Sequence, residues 1–256
     1  MKKKIFVLII SAILLATACK ESTTEPQVET INDQYFVIND GASFNYNLTI
    51  TDTTGFSVNG NRFMLFDDST IIGGTKYKIQ IDSFETFIPF DTLTTTSISY
   101  IRNSNTGVFS YADTTGFTSF LPDSLRQYVT VDREARVLFY PLAVNQIFPV
   151  YTLSLSATII GINVLDIDAS VVADEVLNLT LNNVPVQKQA FKIKYVFVVR
   201  LSSTVEFQYE AYGWAVKDLG FVKWDGDSEV FNFLFNENIF PPETNVKMEL
   251  TEYSIP

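Results

Sequence analysis

The residues that could carry acid–base or metal chemistry in this chain are mainly carboxylates. The sequence has no histidine, which excludes a Ser-His-Asp triad, a Cys-His pair and a His-ligated zinc site. The densest carboxylate string is 225–229, Asp-Gly-Asp-Ser-Glu, and clustered oxygen ligands suit hard cations. Its spacing does not fit an EF-hand, because Val230 and Asn236 stand in the sixth and twelfth places. Asp-Gly between the apolar runs Phe221–Trp224 and Val230–Phe235 instead predicts a type I′ hairpin turn.

Two further strings have a simpler explanation than catalysis. Asp166 and Asp168 alternate with apolar neighbours, which places both on one face of a strand. A carboxylate pair could serve a glycosidase, but a polar outer sheet face explains the pattern. Residues 73–76, Gly-Gly-Thr-Lys, lack the upstream glycine of a phosphate loop and predict a hairpin turn. The sequence therefore predicts no catalytic, cofactor-binding or metal-binding residues, with a carboxylate-only hydrolase as the remaining enzymatic alternative.

Cys19 is the only cysteine in the chain. It follows a basic stretch, Lys2 to Lys4, and an apolar stretch, residues 5–18, that is shorter than the ~20 residues of a membrane-spanning helix. Residues 1–18 thus read as a signal peptide. Residues 15–19, Leu-Ala-Thr-Ala-Cys, resemble the lipobox of bacterial lipoproteins, with Ala16 where leucine is preferred. The resemblance implies lipidation of Cys19 and a membrane anchor; the alternative is an ordinary A-x-A cleavage site.

The segment after the cysteine is polar and rich in Glu, Thr and Ser. Residues 19–34 therefore predict a lipidated cysteine followed by a flexible tether. No composition break follows, so residues 35–256 are expected to form a single domain. Lys20-Glu21 resembles a short signal for surface export in some Bacteroidota lipoproteins. The expected location is the bacterial outer membrane, at its periplasmic face or at the cell surface.

The composition narrows the range of partners. The chain has a formal net charge of −11, and removal of the three signal-peptide lysines makes it more negative still. Such an acidic protein is repelled by nucleic acid, so we expect no nucleic-acid partner. The chain also has 22 Phe and 12 Tyr, and no disulfide can form within it, so a large packed core must stabilise the exported domain.

The hydrophobic pattern predicts a mainly β fold. Residues 43–52 alternate strictly, with Phe44, Tyr46 and Leu48 on the buried side. Residues 75–82 repeat the alternation, which assigns Ile79 and Ile81 to the core. About a dozen such strands predict a large, strongly curved antiparallel sheet, as a half-barrel or an open barrel or sandwich. The only predicted helix is residues 122–128.

Three phrases in the C-terminal half resemble those of uncharacterised Bacteroidota envelope lipoproteins. They are residues 140–146 (YPLAVNQ), 186–195 (VQKQAFKIKY) and 212–223 (YGWAVKDLGFVK), with a closing strand at 248–253. Asn145 and Gln189 depart from the family pattern. The resemblance implies a curved antiparallel sheet similar in outline to periplasmic lipoprotein carriers, with a turn or bulge at Gly220 and core packing of Trp214 on Phe221. It implies no settled activity.

Two functions remain open from the sequence. The first is a lipid-anchored, non-catalytic scaffold or binding module whose partner is a glycan or an envelope protein. The second is a carrier or sensor of an apolar ligand, held on the concave face of the sheet. A transmembrane β-barrel is disfavoured by the lipid anchor and by the threonine-rich strands between residues 49 and 110.

Overall fold

The computed structural model describes residues 35–88, 91–112, 129–157, 160–200, 204–235 and 238–256. By its internal contacts the chain divides into two units, Met1–Thr30 and Ile31–Pro256, and every described residue belongs to the second. The predicted signal peptide, Cys19, the tether and the predicted helix at 122–128 all lie outside the described residues. Those four expectations stay predictions.

Within the described residues, thirteen strands form one antiparallel sheet and there is one α-helix. The spatial order of the strands is β6-β8-β9-β10-β11-β12-β13-β1-β2-β3-β4-β5-β7. The first seven strands are β1 (Ser43–Thr51), β2 (Ser57–Ile72), β3 (Thr75–Ile88), β4 (Asp91–Ser104), β5 (Gly107–Tyr111), β6 (Val129–Val131) and β7 (Glu134–Phe139). The remainder are β8 (Ile147–Ala157), β9 (Ile160–Leu181), β10 (Val184–Arg200), β11 (Glu206–Val216), β12 (Gly220–Asp227) and β13 (Asn245–Ser254), and the helix α1 is Ser228–Leu234. The predicted fold class is confirmed.

The first strand shows why these sequences form a two-faced sheet. Phe44, Tyr46 and Leu48 are almost fully buried, while Asn45 and Asn47 between them lie on the other face. Such period-2 alternation is stable as a strand because one face packs on a core and the other meets water. Irregularities in register interrupt several ladders, including those of β1 with β13 and of β2 with β3. Because a bulge bends its strand and increases the local twist, these positions help the sheet to curl.

The curled sheet brings its two ends close together without closing. Strands β6 and β7 are consecutive in the chain, yet β6 pairs with β8 and β7 pairs with β5. Side chains bridge the gap between β7 and β8: the rings of Phe139 and Phe148 stack with centroids 5.9 Å apart. The hydroxyl of Tyr195 donates a hydrogen bond of 2.6 Å to the carbonyl oxygen of Val137. We call this gap between β7 and β8 the seam.

The concave side of the sheet is filled by the protein's own side chains. The ring of Phe231 in α1 packs on Trp224 of β12, and Phe233 packs on Tyr151 of β8, with centroids 5.7 and 4.9 Å apart. Phe235, which follows the helix, packs on Phe84 of β3 at 5.6 Å. Helix α1 therefore contacts strands from both halves of the sheet and acts as an internal plug.

The segment that precedes β1 fills the rest of the concave side. Phe36 packs edge-on against Phe66 of β2 and Phe221 of β12. The side-chain amide of Asn103 on β4 donates a 2.7 Å hydrogen bond to the carbonyl oxygen of Phe36, which fixes this segment against the sheet. Residues 35–42 and α1 together leave the interior of the domain closely packed.

The predicted hairpin at 225–229 is wrong. Asp225 and Gly226 lie inside β12, and the chain turns into α1 at Ser228 instead of reversing into another strand. A side chain at Gly226 would lie 2.3 Å from the Cα of Ala211 on β11, so glycine is required there by close strand packing. The apolar run that follows forms a helix. Residues four apart lie on the same face of a helix, and the rings of Phe231 and Phe235 accordingly stack one turn apart, at an interplanar angle of 19°.

Two core assignments are also wrong. In β3 the buried residues are Tyr77, Gln80, Asp82 and Phe84, while Ile79 and Ile81 are only half-buried. Trp214 pairs with Lys223 and so lies on the opposite face from Phe221, which pairs with Ala215 across a register shift. Because that shift moves one strand by a residue, the two rings that the sequence places together are on different sides of the sheet.

The turns agree with the sequence. Gly73 and Gly74, both with positive φ, join β2 to β3, as the hairpin prediction requires. Gly220 has φ +82° and follows the turn after β11. Asn145 also has a positive φ, of 68°. Asparagine tolerates the left-handed region better than most residues, so a turn can form here without glycine.

Candidate functional site

A buried charge pair lies in the middle of the concave side. Arg62 on β2 is in phase with Met64 and Phe66, and Asp82 on β3 is in phase with Phe84, so both polar side chains point into the core. Their exposed fractions are 3% and 0%. Charged residues are almost never buried to this extent unless they are paired.

The pair is well satisfied. The Nε and Nη2 atoms of Arg62 both lie close to Oδ1 of Asp82, at 2.8 and 2.7 Å, and Nε2 of Gln80 donates to Oδ2 at 2.6 Å. The guanidinium also lies over the ring of Phe235 at 4.3 Å and over that of Tyr46 at 5.2 Å. Charge-assisted hydrogen bonds and cation–π contacts together compensate the loss of water around the two charges.

The space beside this pair is small. A cavity of about 40 Å³ lies between Arg62, Gln80 and the surrounding aromatic rings. A water molecule needs roughly 10–15 Å³ of such space, so the cavity is on the scale of a few waters. The Oε1 atom of Gln80 is buried without a hydrogen-bond partner among the described residues, and a water could bind there. The arrangement stabilises one packing of the core and supplies no exposed reactive group.

A larger cleft of about 340 Å³ opens at the seam. We call it the seam cleft; its walls come from β5, from the β6–β7 region and from β8. They comprise Phe109, Asp132, Arg133, Glu134, Arg136, Pro149, Val150 and Tyr151. Because β7 and β8 share no ladder here, side chains alone form the walls.

An ion pair fixes one side of the seam cleft. Arg102 donates two hydrogen bonds of 2.5 Å to Glu134, and the hydroxyl of Tyr77 donates a third, also 2.5 Å. Partial burial acts to raise the pKa of Glu134, but the bonds from Arg102 and Tyr77 outweigh it and hold the pKa below its usual range. Burial, followed by the bond to Glu134, raises the pKa of Tyr77 to about 12. The carboxylate of Glu134 is thus charged and fully engaged.

A stack of guanidinium groups and rings forms the floor of the cleft. Phe109 lies between Arg102 and Arg136, whose Cζ atoms are 4.2 and 5.3 Å from its ring centroid. Arg136 also lies 5.1 Å from the ring of Phe139. These contacts hold the Arg136 guanidinium in a fixed plane beside the cleft.

A third opening lies on the convex face. This groove of about 520 Å³ is lined by Asn45, Asn61, Phe63, Ser83, Glu85 and Glu252, among others. The side-chain amide of Asn45 donates a 3.3 Å hydrogen bond to Glu252. The polar faces of β1, β2, β3 and β13 meet here, as their period-2 patterns require.

The structure separates most of the carboxylates that the sequence suggested. Asp227 accepts a 2.7 Å hydrogen bond from the backbone nitrogen of Glu210, and Glu229 accepts one from that of Glu243. Asp166 is paired with Arg200, and Asp168 is exposed on the same strand face. Among the described residues, no three His, Cys, Asp or Glu side chains converge as metal ligands would.

The helix of the described region is also too short to span a bilayer, so no membrane-crossing helix occurs among those residues. Cys19, the predicted lipidation site, lies outside the part of the chain that the structure describes.

Two features were missed by sequence reasoning. Arg62 shares a phase with Met64 and Phe66, and this signal could have placed it in the core. Asp82 shares its phase mainly with polar residues, Lys78 and Gln80 among them, so its own strand gives no such signal. The seam cleft joins residues from β5, β7 and β8, and strand pairing across the whole chain decides that arrangement. No local pattern could reveal it.

The chain was compared with known proteins. No protein-family model matches it, and no curated protein is similar to it. Among solved structures, it is similar to a Bacteroides fragilis protein named as exported, with a YmcC-like fold. That likeness has a TM-score of 0.45 and 13% identity over 87% of this chain and 100% of the other. It is also similar to a Parabacteroides distasonis protein named as a lipoprotein, with a TM-score of 0.41 and 12% identity over 87% of this chain and 99% of the other.

Proposed function

We propose that this protein is a lipid-anchored, non-catalytic binding module of the bacterial envelope, tethered to the outer membrane through Cys19. The observation that carries the proposal is the filled concave side of the sheet. Helix α1 and residues 35–42 occupy the space that a curved sheet would otherwise offer to a ligand. Binding surfaces then remain at the convex groove and at the seam cleft, both of which face outward.

The sequence supports the non-catalytic part of the proposal. The chain has no histidine, and its one cysteine occupies the lipobox position. Histidine is the commonest general base at neutral pH. The seam carboxylate Glu134 accepts hydrogen bonds from Arg102 and Tyr77 and has a lowered pKa. A carboxylate in that state is a poor proton donor at neutral pH.

The alternative is a carrier of an apolar ligand on the concave face. An interior cavity of about 40 Å³ is far below the ~300–1,000 Å³ of ordinary ligand sites. A carrier would therefore need α1 to leave the core, which would expose the rings of Phe231 and Phe235. Each such buried ring contributes roughly 1.5–3 kcal/mol to stability, so this displacement is costly.

The first test concerns the anchor. In the native envelope, we expect the N-terminal peptide to begin at an acylated Cys19 and the protein to sediment with membranes. Cys19→Ala retains an A-x-A cleavage site and removes the acylated thiol. It should move the protein to the soluble extract without changing its circular dichroism. A free thiol at Cys19, or a Cys19→Ala protein that still sediments with membranes, contradicts the anchored assignment.

The second test separates a module from a carrier. A neutral apolar dye, N-phenyl-1-naphthylamine, fluoresces on entering an apolar cavity. The native protein should show no saturable, stoichiometric uptake, because its interior is filled. One-to-one uptake that competes with long-chain apolar molecules would favour the carrier and overturn the proposal.

A further inference from the structure

We propose that the seam cleft binds an oxyanion, a carboxylate or a phosphate group, carried on an apolar body. The inference deepens the proposed function, since it names the ligand class of one surface of the binding module. It starts from two buried donor groups on the walls of the cleft that have no hydrogen-bond partner among the described residues.

The first of these groups is the phenol of Tyr151. The residue is 1% exposed, its ring is held against Phe233 of α1, and it lines the seam cleft. Its hydroxyl has no hydrogen-bond partner among the described residues. A buried polar atom without a partner costs about 1–3 kcal/mol, and most such atoms in folded proteins are satisfied.

The second group is the guanidinium of Arg136, on the other side of the seam. Its Nε atom is buried and also lacks a hydrogen-bond partner in the described part of the chain. An arginine Nε–H can only donate, and the phenol can donate as well. Two unsatisfied donors on the walls of one cleft require acceptor atoms, and oxygen atoms of a carboxylate or phosphate supply several together.

The charges around the cleft favour an anion. Arg102, Arg133 and Arg136 are half of the six arginines in the chain, although the protein as a whole is acidic. Two carboxylates are present as well, and they are not equivalent. Glu134 is neutralised by Arg102, whereas Asp132 and Arg133, which are of opposite charge, are both exposed at the rim. The local sum is one positive charge, which a singly charged oxyanion would balance.

The remaining walls are apolar. Pro149, Val150 and the ring of Phe109 line the cleft beside the donors. The cleft volume of about 340 Å³ lies at the lower end of the range for small-molecule sites. An oxyanion on a short apolar chain fits this combination better than a free inorganic ion, because the chain would cover the apolar wall.

The experiment titrates the full mature chain with three probes by isothermal calorimetry. The probes are decanoate below its micelle-forming concentration, decanol as its uncharged counterpart, and inorganic phosphate. We expect saturable one-to-one binding of decanoate and none of decanol. Equal binding of decanol would show a merely apolar site and overturn the proposal. Binding of phosphate without binding of decanoate would confirm that the cleft takes an oxyanion. It would contradict the proposal that the ligand also has an apolar part.

Variants assign the binding to the cleft. Tyr151→Phe deletes an unsatisfied hydroxyl, so it should leave the melting temperature unchanged or higher while weakening decanoate binding roughly tenfold. Arg136→Lys keeps the charge but removes Nε–H, and a similar loss is expected. The matched control is Tyr46→Phe, which removes a buried hydroxyl bonded to the carbonyl oxygen of Phe221. It should lower stability and leave binding intact.

Two results contradict the inference: no decanoate binding by the native protein, or binding by Tyr151→Phe at native strength. Neither bears on the anchor, because the fractionation of Cys19→Ala does not depend on the cleft. Failure of the oxyanion site and failure of the tethered module are therefore distinguishable.

Discussion

Separating the buried partners Arg62 and Asp82 should strongly destabilise the domain, whereas replacing both by apolar residues should not. Asp82→Asn keeps the shape of the side chain but leaves a guanidinium that is 3% exposed without its counter-ion. Breaking a buried ion pair in this way costs about 3–5 kcal/mol. The rings of Phe235 and Tyr46 face the cation in both proteins, so their contribution cancels in the difference. We therefore expect a loss of about 3–5 kcal/mol.

The double variant Arg62→Met, Asp82→Leu removes both charges and fills similar volume in an aromatic core. Apolar replacement of a buried pair is often neutral or stabilising, so the double variant should lie within about 1–2 kcal/mol of the native protein after repacking strain. The single variants Arg62→Met and Asp82→Leu should each lose more than the double variant, since each leaves one buried charge without its partner. The coupling energy of the cycle is then several kcal/mol in favour of the pair.

The assay is urea unfolding followed by tryptophan fluorescence, because Trp224 lies in the same core. The slope of the unfolding free energy with urea should be unchanged, which confirms that stability alone differs. Two results would refute the reasoning. One is a loss below 1 kcal/mol for Asp82→Asn, which would mean that water reaches the pair. The other is a double variant that loses the sum of the two single losses.

Three further predictions concern single residues. Burial raises the pKa of Tyr195 well above its ordinary value of 10.0, so unfolding free energy should fall above pH 10 as the unfolded phenol ionises first. Tyr195→Phe should reduce that slope by about 1.4 kcal/mol per pH unit. Gly60→Ala should cost about 3 kcal/mol in urea unfolding, because its Cβ would lie 2.0 Å from the carbonyl oxygen of Glu85. Glu134→Gln should cost about 1 kcal/mol at pH 7, allowing for solvent screening. Since the pKa of Glu134 is lowered from its ordinary value of 4.5, its contribution is present above that pH and is lost as the pH falls through the lower pKa of the folded protein. Acid titration of the variant should lack that loss.

Local pattern was enough to predict the class of the fold and the face of several strands. In β1 the alternation of Phe44 and Tyr46 with Asn45 and Asn47 identifies the buried side correctly, because neither polar residue has a partner in the core. The glycine pair at 73–74 likewise identifies its turn. These features depend on neighbouring residues alone, and a single sequence contains that information.

Prediction failed where distant residues decide the outcome. The polar side chain of Asp82 is buried because Arg62, on another strand, neutralises it. An alternation rule that assigns polar residues to water therefore chose the wrong face of β3. The apolar run after Asp227 became a helix because the concave side offered rings on four strands, β3, β8, β10 and β12, for it to pack against. The seam cleft likewise exists only once β7 and β8 are brought together.

At the seam, the contacts that hold the two edges of the sheet together also leave room for the proposed ligand. A ladder between β7 and β8 would satisfy both strand edges and close the sheet, as barrels do. Instead, the carbonyl oxygen of Val137 is satisfied by the Tyr195 hydroxyl, and the stacked rings of Phe139 and Phe148 replace hydrogen bonds. Such side-chain contacts hold the edges together without covering the space beside them. The concave side is already filled, so a ligand that binds buried donors has to enter where β7 and β8 share no ladder. Tyr151 and Arg136 line the cleft at that position.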